Sequence, residues 1–162
     1  MKLTTKGRYA VTAMLDLAFH GDTTPVALTD IAKRQHISLS YLEQLFARLR
    51  RAGMVEGVRG PGGGYQLSRS TREISVADII LAVDEDVDST RCGGKGNCQN
   101  NHPCLTHELW MGLSEQIRQY LDSISLYDLI NRYGVRQVAE RQDMQVSHYM
   151  DLMIQRDPAS PP

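Results

Sequence analysis

The stretch that most constrains this chain is Cys92-Gly-Gly-Lys-Gly-Asn-Cys98-Gln-Asn-Asn-His-Pro-Cys104-Leu-Thr-His107, which holds all three cysteines and two of the five histidines. Between these ligand-type residues lie glycine, asparagine and proline, which offer no side chains for a hydrophobic core. A polar loop of this kind needs something other than packing to give it a shape, and a metal centre held by Cys92, Cys98, Cys104 and His107 is the expected source. Each pair of successive cysteines is separated by five residues, wider than the knuckle of a typical structural zinc site. The wider spacing suits a larger inorganic unit such as an iron–sulfur cluster, with zinc left open by the residue types alone. Cys104 and His107 lie at helical spacing, so both can face one point. His102 is a spare imidazole, restricted by the neighbouring Pro103. No Cys-x-x-Cys pair is present to support a bare thiol redox switch.

Charge divides the chain in two. Residues 1–72 carry eleven Lys/Arg against five Asp/Glu, and residues 73–162 carry seven against fourteen, so a net charge of −1 conceals a basic first part and an acidic second. The basic part suits a polyanion such as nucleic acid. The apolar run from Tyr9 to Phe19 is broken by Asp16 and followed by no cleavage signature, and no stretch approaches the length needed to span a bilayer. The expectation is a cytoplasmic protein with no membrane partner, whose odd number of cysteines serves as ligands rather than disulfides.

The apolar spacing predicts a helix from about Arg8 to His20, then a short helix around Leu28–Ala32 and a turn at His36-Ile37. Ser38 is a good N-cap for a further helix to about Ala52, which buries Tyr41/Leu42, Leu45/Phe46 and Leu49 and exposes Ser40, Glu43, Gln44, Arg48, Arg50 and Arg51. This is the pattern of a helix-turn-helix. Met54–Arg59 and Tyr65–Leu67 read as strands joined by the tip Gly60-Pro-Gly-Gly-Gly64, the wing of a winged helix. A phosphate-binding P-loop would need Gly-Lys-Ser/Thr opening a helix, whereas Tyr65 here opens a strand. Ser75-Val-Ala-Asp78 starts a helix to about Val83, and Asp84–Asp88 is read as a solvated acidic exit into the cysteine loop.

From about Thr106 to Asp122 a long helix is predicted, with Leu109, Leu113, Ile117, Tyr120, Leu121 and Ile124 in one stripe that continues past its end. The chain offers little to cover that stripe, so the expectation is a homodimer. A short helix begins at Ser125. The fold class expected is mainly α with a small β-hairpin wing. The expected organisation is a DNA-binding domain over 1–83, a cluster-binding loop over 84–105, a dimerisation helix and short terminal helix over 106–133, and a disordered tail over 134–162.

Function follows from the chemistry of the exposed faces. Ser40, Glu43 and Gln44 stand where base edges are reached; Glu43 can accept from cytosine N4 and Gln44 can address adenine, so Glu43 is expected to discriminate among sites. Arg59, beside Gly60 and Gly62, is expected in the minor groove, and Lys6, Arg8, Tyr41, Arg48, Arg50 and Arg51 on phosphates. No nucleophile–base pair or second cofactor motif supports an enzyme.

Thr5-Lys-Gly-Arg-Tyr-Ala-Val, Ile37-Ser-Leu-Ser-Tyr-Leu-Glu-Gln-Leu-Phe, Val58-Arg-Gly-Pro-Gly-Gly-Gly-Tyr65 and the Cys92/Cys98/Cys104/His107 array together resemble the IscR family of iron–sulfur cluster regulators. These are bacterial winged-helix transcription factors related to the nitric-oxide-responsive repressor NsrR. The likeness covers about residues 1–133. It implies a homodimer holding a [2Fe–2S] cluster through three cysteines and one histidine, delivered by a cluster-assembly scaffold. It also implies binding to double-stranded promoter DNA with two half-sites, where the protein acts mainly as a repressor of cluster-assembly genes and also as an activator. Alternatives are a zinc-stabilised winged-helix protein and a nitric-oxide or redox sensor of the same family. An imidazole in place of one thiolate holds a cluster less tightly and makes its retention pH-sensitive, which suits a sensor.

Overall fold

The computed structural model describes residues 4–155. The first three residues of the expected DNA-binding domain and the last seven of the expected tail lie outside the described residues. The described residues form seven helices and one two-stranded sheet.

Helix α1 (Thr5–His20) starts where the Thr4 hydroxyl accepts the Lys6 N–H at 3.2 Å, one turn earlier than apolar spacing alone indicates. It buries Ala10, Ala13, Met14 and Leu17. Helices α2 (Leu28–Gln35) and α3 (Leu39–Arg51) form the helix-turn-helix, and His36 between them adopts a left-handed φ of 53°. Ser38 caps α3 as expected, accepting from the Tyr41 N–H. Leu42, Leu45, Phe46 and Leu49 lie at 0–1% exposure, a continuous apolar stripe along α3.

Strands β1 (Val55–Val58) and β2 (Gly64–Leu67) pair antiparallel with Val55 opposite Leu67 and Val58 opposite Gly64. At the tip the Gly63 N–H donates to Gly60 O at 2.9 Å, with Pro61 second and Gly62 third at φ +72°. That is the residue order of a type II turn, which needs a positive φ at the third position. The wing is tied down along the free edge of β2, where Val26 and Tyr65 exchange both backbone hydrogen bonds at 2.8 Å. A Cβ on Gly64 would sit 2.3 Å from Val26 O, so glycine is required for that approach. The Tyr65 ring then packs edge-on to Phe46 with centroids 4.9 Å apart, locking the wing to α3.

Helix α4 (Val76–Ala82) opens on a reciprocal capping box between Ser75 and Asp78, which shows that Asp serves in place of Glu or Gln there. It closes with the Asp84 N–H on Leu81 O at 3.0 Å and the Glu85 N–H on Ile80 O at 3.3 Å. This is a Schellman arrangement with Asp84 at the left-handed position, φ 54°.

After the cysteine loop, α5 (His107–Asp122) packs on α4, and α6 (Leu126–Ile130) returns the chain to the core through the fully buried Leu126. The Val76 N–H to Ile124 O and Leu126 N–H to Ile74 O bonds, both 2.9 Å, fasten the α5–α6 corner to the start of α4. No residue of α5 is buried within the chain.

One expectation needs correction. The segment from residue 134, expected to carry no element, forms the long helix α7 (Tyr133–Gln155), which packs against α2 and α6. Its half-buried positions are Val135, Ala139, Gln142 and Val146, a helical repeat in which only two members are strongly apolar. Polar contacts complete the docking: His20 Nε2 lies 3.0 Å from Asp143 Oδ1, and Gln35 exchanges amide hydrogen bonds with Gln142 at 3.0 and 3.1 Å. Behind them Asp16, fully shielded from solvent, accepts from Arg34 Nη2 at 2.7 Å and from Gln35 Nε2 at 2.7 Å. Among the described residues no helix is long and apolar enough to cross a membrane.

Candidate metal centre and nucleic-acid interface

The loop between α4 and α5 is built from turns. Gly93, Gly94 and Gly96 all have positive φ, as do Asn100 and Asn101. Gln99 and His102 exchange backbone hydrogen bonds at 3.0 and 2.8 Å around that Asn-Asn pair, the arrangement of a tight primed hairpin turn. This small hairpin brings Cys104 back beside Cys98, so that the Cys104 N–H points at Cys98 Sγ at 3.4 Å. The first turn of α5 supplies His107, whose Nδ1 lies 3.5 Å from both Cys92 Sγ and Cys98 Sγ.

Cys92, Cys98 and His107 thus offer ligand atoms all within 4.8 Å of one another. Cys104 is adjacent but not in that closest group; its Sγ lies 3.7 Å from Thr106 Oγ1, which in turn accepts from the indole N–H of Trp110 at 3.1 Å. A cavity of about 300 Å3 opens beside these residues, lined by Cys98, Cys104, His107, Thr106, Trp110 and the 89–91 segment. His102 is exposed and contributes its backbone to the hairpin.

The electrostatics favour thiolate at two of the three sulfurs. Partial desolvation pushes Cys92 up, but the Gly96 N–H, Cys98, Thr90 and the His107 imidazole outweigh it and bring it down to about 6. The Thr106 N–H and hydroxyl, then Cys98, hold Cys104 below the ordinary thiol value. At Cys98 the Cys104 N–H acts downward, yet desolvation and the neighbouring thiols raise it overall. Three thiols and an imidazole are a soft donor set, one that fits an iron–sulfur cluster and zinc alike. Outer support comes from Asp88, which accepts from the Thr90 N–H at 2.6 Å and hydroxyl at 3.0 Å, while Thr90 Oγ1 accepts from the Gly94 N–H at 2.7 Å.

The acidic exit differs from its expected role as a solvated segment. Glu85 is buried at 8% exposure and its Oε1 accepts the Thr4 N–H at 2.5 Å. Asp84 pairs with Arg48 of α3, and its carbonyl accepts from Lys6 Nζ at 2.9 Å. These contacts join residues 36, 78 and 81 positions apart, a relation that composition cannot display.

Ser40, Glu43, Gln44, Arg50 and Arg51 are exposed on α3, with Tyr41 and Arg48 half-exposed. Tyr41 stands edge-on to Tyr9 of α1 with centroids 5.9 Å apart. Arg8 is exposed on α1, Lys6 is half-buried, and Arg59 and Gly60 are exposed on the wing with Gly62 at its turn. On α5, Leu109, Leu113 and Tyr120 remain 63%, 40% and 61% exposed, whereas Ile117, Leu121 and Ile124 are half-buried. Trp110 and Met111, outside the expected stripe, are exposed beside it at 41% and 40%.

Comparison with known proteins agrees with this architecture. Residues 3–132 match the Rrf2 family model, described as "Iron-dependent Transcriptional regulator". The HTH-type transcriptional regulator IscR of Photorhabdus laumondii is 60% identical over 143 residues, 88% of this chain and 87% of that protein. IscR of Pectobacterium carotovorum is 56% identical over 155 residues, 96% of this chain and 94% of that protein. Among solved structures, T. potens IscR superposes with a TM-score of 0.67 at 42% identity, covering 80% of this chain and 86% of that one. CymR, the global cysteine regulator of B. subtilis, superposes with a TM-score of 0.69 at 34% identity, covering 80% and 95%. With a helix-turn-helix, a wing and a cysteine–histidine loop set in this order, the chain belongs to the Rrf2 family of transcriptional regulators.

Proposed function

We propose that the chain is a cytoplasmic, homodimeric regulator of iron–sulfur cluster biogenesis genes, which changes its preference among DNA sites with occupancy of a [2Fe–2S] cluster at Cys92, Cys98, Cys104 and His107. It regulates rather than catalyses. The observation that carries the reading is the convergence of Cys92, Cys98 and His107 within 4.8 Å, on a loop leading directly into a helix with no buried residue. When bound, the cluster supplies a reversible, redox-active cross-link. The protein's own part is to hold the sulfurs on a turn-rich loop and to fix His107 at the start of α5. A two-fold dimer reads two half-sites at a set separation, so a change where α5 begins changes which DNA is bound. Leu109, Leu113 and Tyr120 are the anchors of the dimer face, with Ile117, Leu121 and Ile124 behind them. A cluster-assembly scaffold is the donor.

The test is the visible spectrum and metal content of anaerobically purified protein, followed by promoter affinity with and without the chromophore. An iron–sulfur chromophore and a difference in affinity at one class of promoter support the reading; equal affinity at every site overturns the switch. A single zinc ion is the second reading, because 3.5 Å between Cys92 or Cys98 and His107 also matches the edge of a tetrahedral site. It would give a colourless sample.

At the DNA face, Ser40, Glu43 and Gln44 reach base edges, Arg59 with Gly60 and Gly62 follows the minor groove, and Lys6, Arg8, Tyr41, Arg48, Arg50 and Arg51 meet phosphates. Glu43 sets the ranking of sites, since a carboxylate among phosphates is tolerated only where a base donor meets it. Glu43→Ala is expected to compress the affinity difference between operators by about 1–3 kcal/mol. Binding titrations on a panel of operators check this, and an unchanged ranking would remove the role.

A further inference from the structure

Asp84 occupies a position that its backbone does not favour. It is the left-handed residue closing α4, φ 54°, where glycine is the ordinary choice because it has no Cβ to clash. Aspartate is one of the few side chains tolerated there, and unlike glycine it brings a carboxylate to the end of α4. Here the carboxylate pairs with Arg48 of α3, and the carbonyl of the same residue accepts from Lys6 Nζ of α1 at 2.9 Å. Both cations belong to the face assigned to phosphate contact. The Asp84 side chain is 74% exposed and that of Arg48 36%, so the pair lies where a DNA phosphate can compete for the guanidinium. Such an exposed pair contributes little to stability. Its effect is on the charge that the recognition helix presents.

We propose that Asp84 is a positioning residue for DNA binding: its carboxylate occupies Arg48 as a phosphate would, so that duplex binding must first displace it. This rests on the DNA reading above and deepens it, because it makes the acidic exit from α4 a brake on sequence-independent affinity. The brake sits on the segment that continues through Asp88 into the cysteine loop. Unlike Glu43, Asp84 acts on all sequences alike, since the group it withholds meets phosphate rather than bases.

The experiment uses the full chain and a fluorescein-labelled DNA duplex of scrambled sequence, titrated by anisotropy over a range of salt concentrations. Asp84→Asn and Asp84→Gly are compared with wild type, alone and combined with Arg48→Ala. Asp84→Gly relaxes the backbone while removing the carboxylate, so it separates a structural role from the proposed one. Both single variants should bind several-fold tighter at low salt, and the gain should shrink as salt rises, because screening weakens the intramolecular pair that wild type must break, so the slope of log affinity against log salt is steeper in the variants. The gain should be equal on scrambled and operator duplexes and should vanish with Arg48→Ala. An unchanged slope, weaker binding, or a gain that survives Arg48→Ala would overturn the proposal. If Arg48→Ala alone flattens the wild-type slope while Asp84→Asn changes nothing, Asp84 fails and the DNA face stands. If wild type itself shows no salt-dependent binding, both fall.

Discussion

Cys98→Ser is expected to yield protein that purifies anaerobically without visible absorbance and with its metal content lost. Cys98 is the hub of the loop: its Sγ lies 3.5 Å from His107 Nδ1 and accepts the Cys104 N–H at 3.4 Å. A serine hydroxyl is a harder and far less acidic donor than a thiol, so it replaces neither the charge nor the softness that iron or zinc selects. Loss of an outer partner typically costs about 10–100-fold in metal affinity, and loss of a direct ligand exceeds that. The fold should survive, because residues 86–125 contain no buried side chain. Urea midpoints and far-ultraviolet circular dichroism therefore serve as the control, with an expected change within about 0.5 kcal/mol. The variant should bind DNA as wild type does when stripped of metal. Retention of the wild-type spectrum would remove Cys98 from the ligand set.

Asp16→Ala is expected to destabilise the protein by about 3–5 kcal/mol, the usual cost of leaving a buried partner unpaired. The Asp16 side chain has no solvent exposure and Arg34 only 12%, and three partners on two helices converge on the one carboxylate, His20 Nδ1 at 3.4 Å from Oδ1 together with Arg34 and Gln35. Burial would raise the Asp16 carboxyl, but hydrogen bonds from His20, Arg34 and Gln35 outweigh it and hold it at about 2, below its ordinary 3.8. The Asp16 carboxylate in turn lifts His20 from 6.5 to about 9 against partial desolvation, with help from Asp143. The depressed carboxylate contributes fully above about pH 3.8 and loses its contribution as pH falls through about 2. The raised imidazole contributes fully below about 6.5 and loses its contribution as pH rises through about 9. The stability difference between wild type and Asp16→Ala should therefore be greatest between about pH 4 and 6.5 and shrink on both sides. Equilibrium urea unfolding across pH measures it; a flat difference, or one below about 1 kcal/mol, would show that the network carries no such weight. The variant should also release α7, since His20 and Gln35 contact both Asp16 and that helix.

Much of the DNA-binding half is legible without coordinates because its signals are local. Ser38 and Ser75 cap helices whatever lies around them, and a Pro-Gly pair at 61–62 specifies its turn through backbone sterics. The stripe Leu42, Leu45/Phe46, Leu49 is one helical face in any context. Helix α7 escaped notice for the opposite reason. Its docking stripe includes Ala139 and Gln142, and its partners His20 and Gln35 lie 123 and 107 residues away. Asp16 likewise reads in one dimension as a break in an apolar run, and only the packed structure turns it into a buried hub.

By itself, then, the sequence determined the local elements, the wing and the inventory of metal donors, since capping, turn geometry and helical periodicity act over a few residues. Tertiary structure decided which charges find partners. It set Cys92, Cys98 and His107 against one another, with Cys104 one step aside, turned an acidic exit into contacts with Thr4, Lys6 and Arg48, and docked α7 through Asp143 and Gln142. The reason is that a charge or a thiol carries no signature of its partner in its own neighbourhood; the pairing exists only once chain closure has brought distant segments together and removed the water between them.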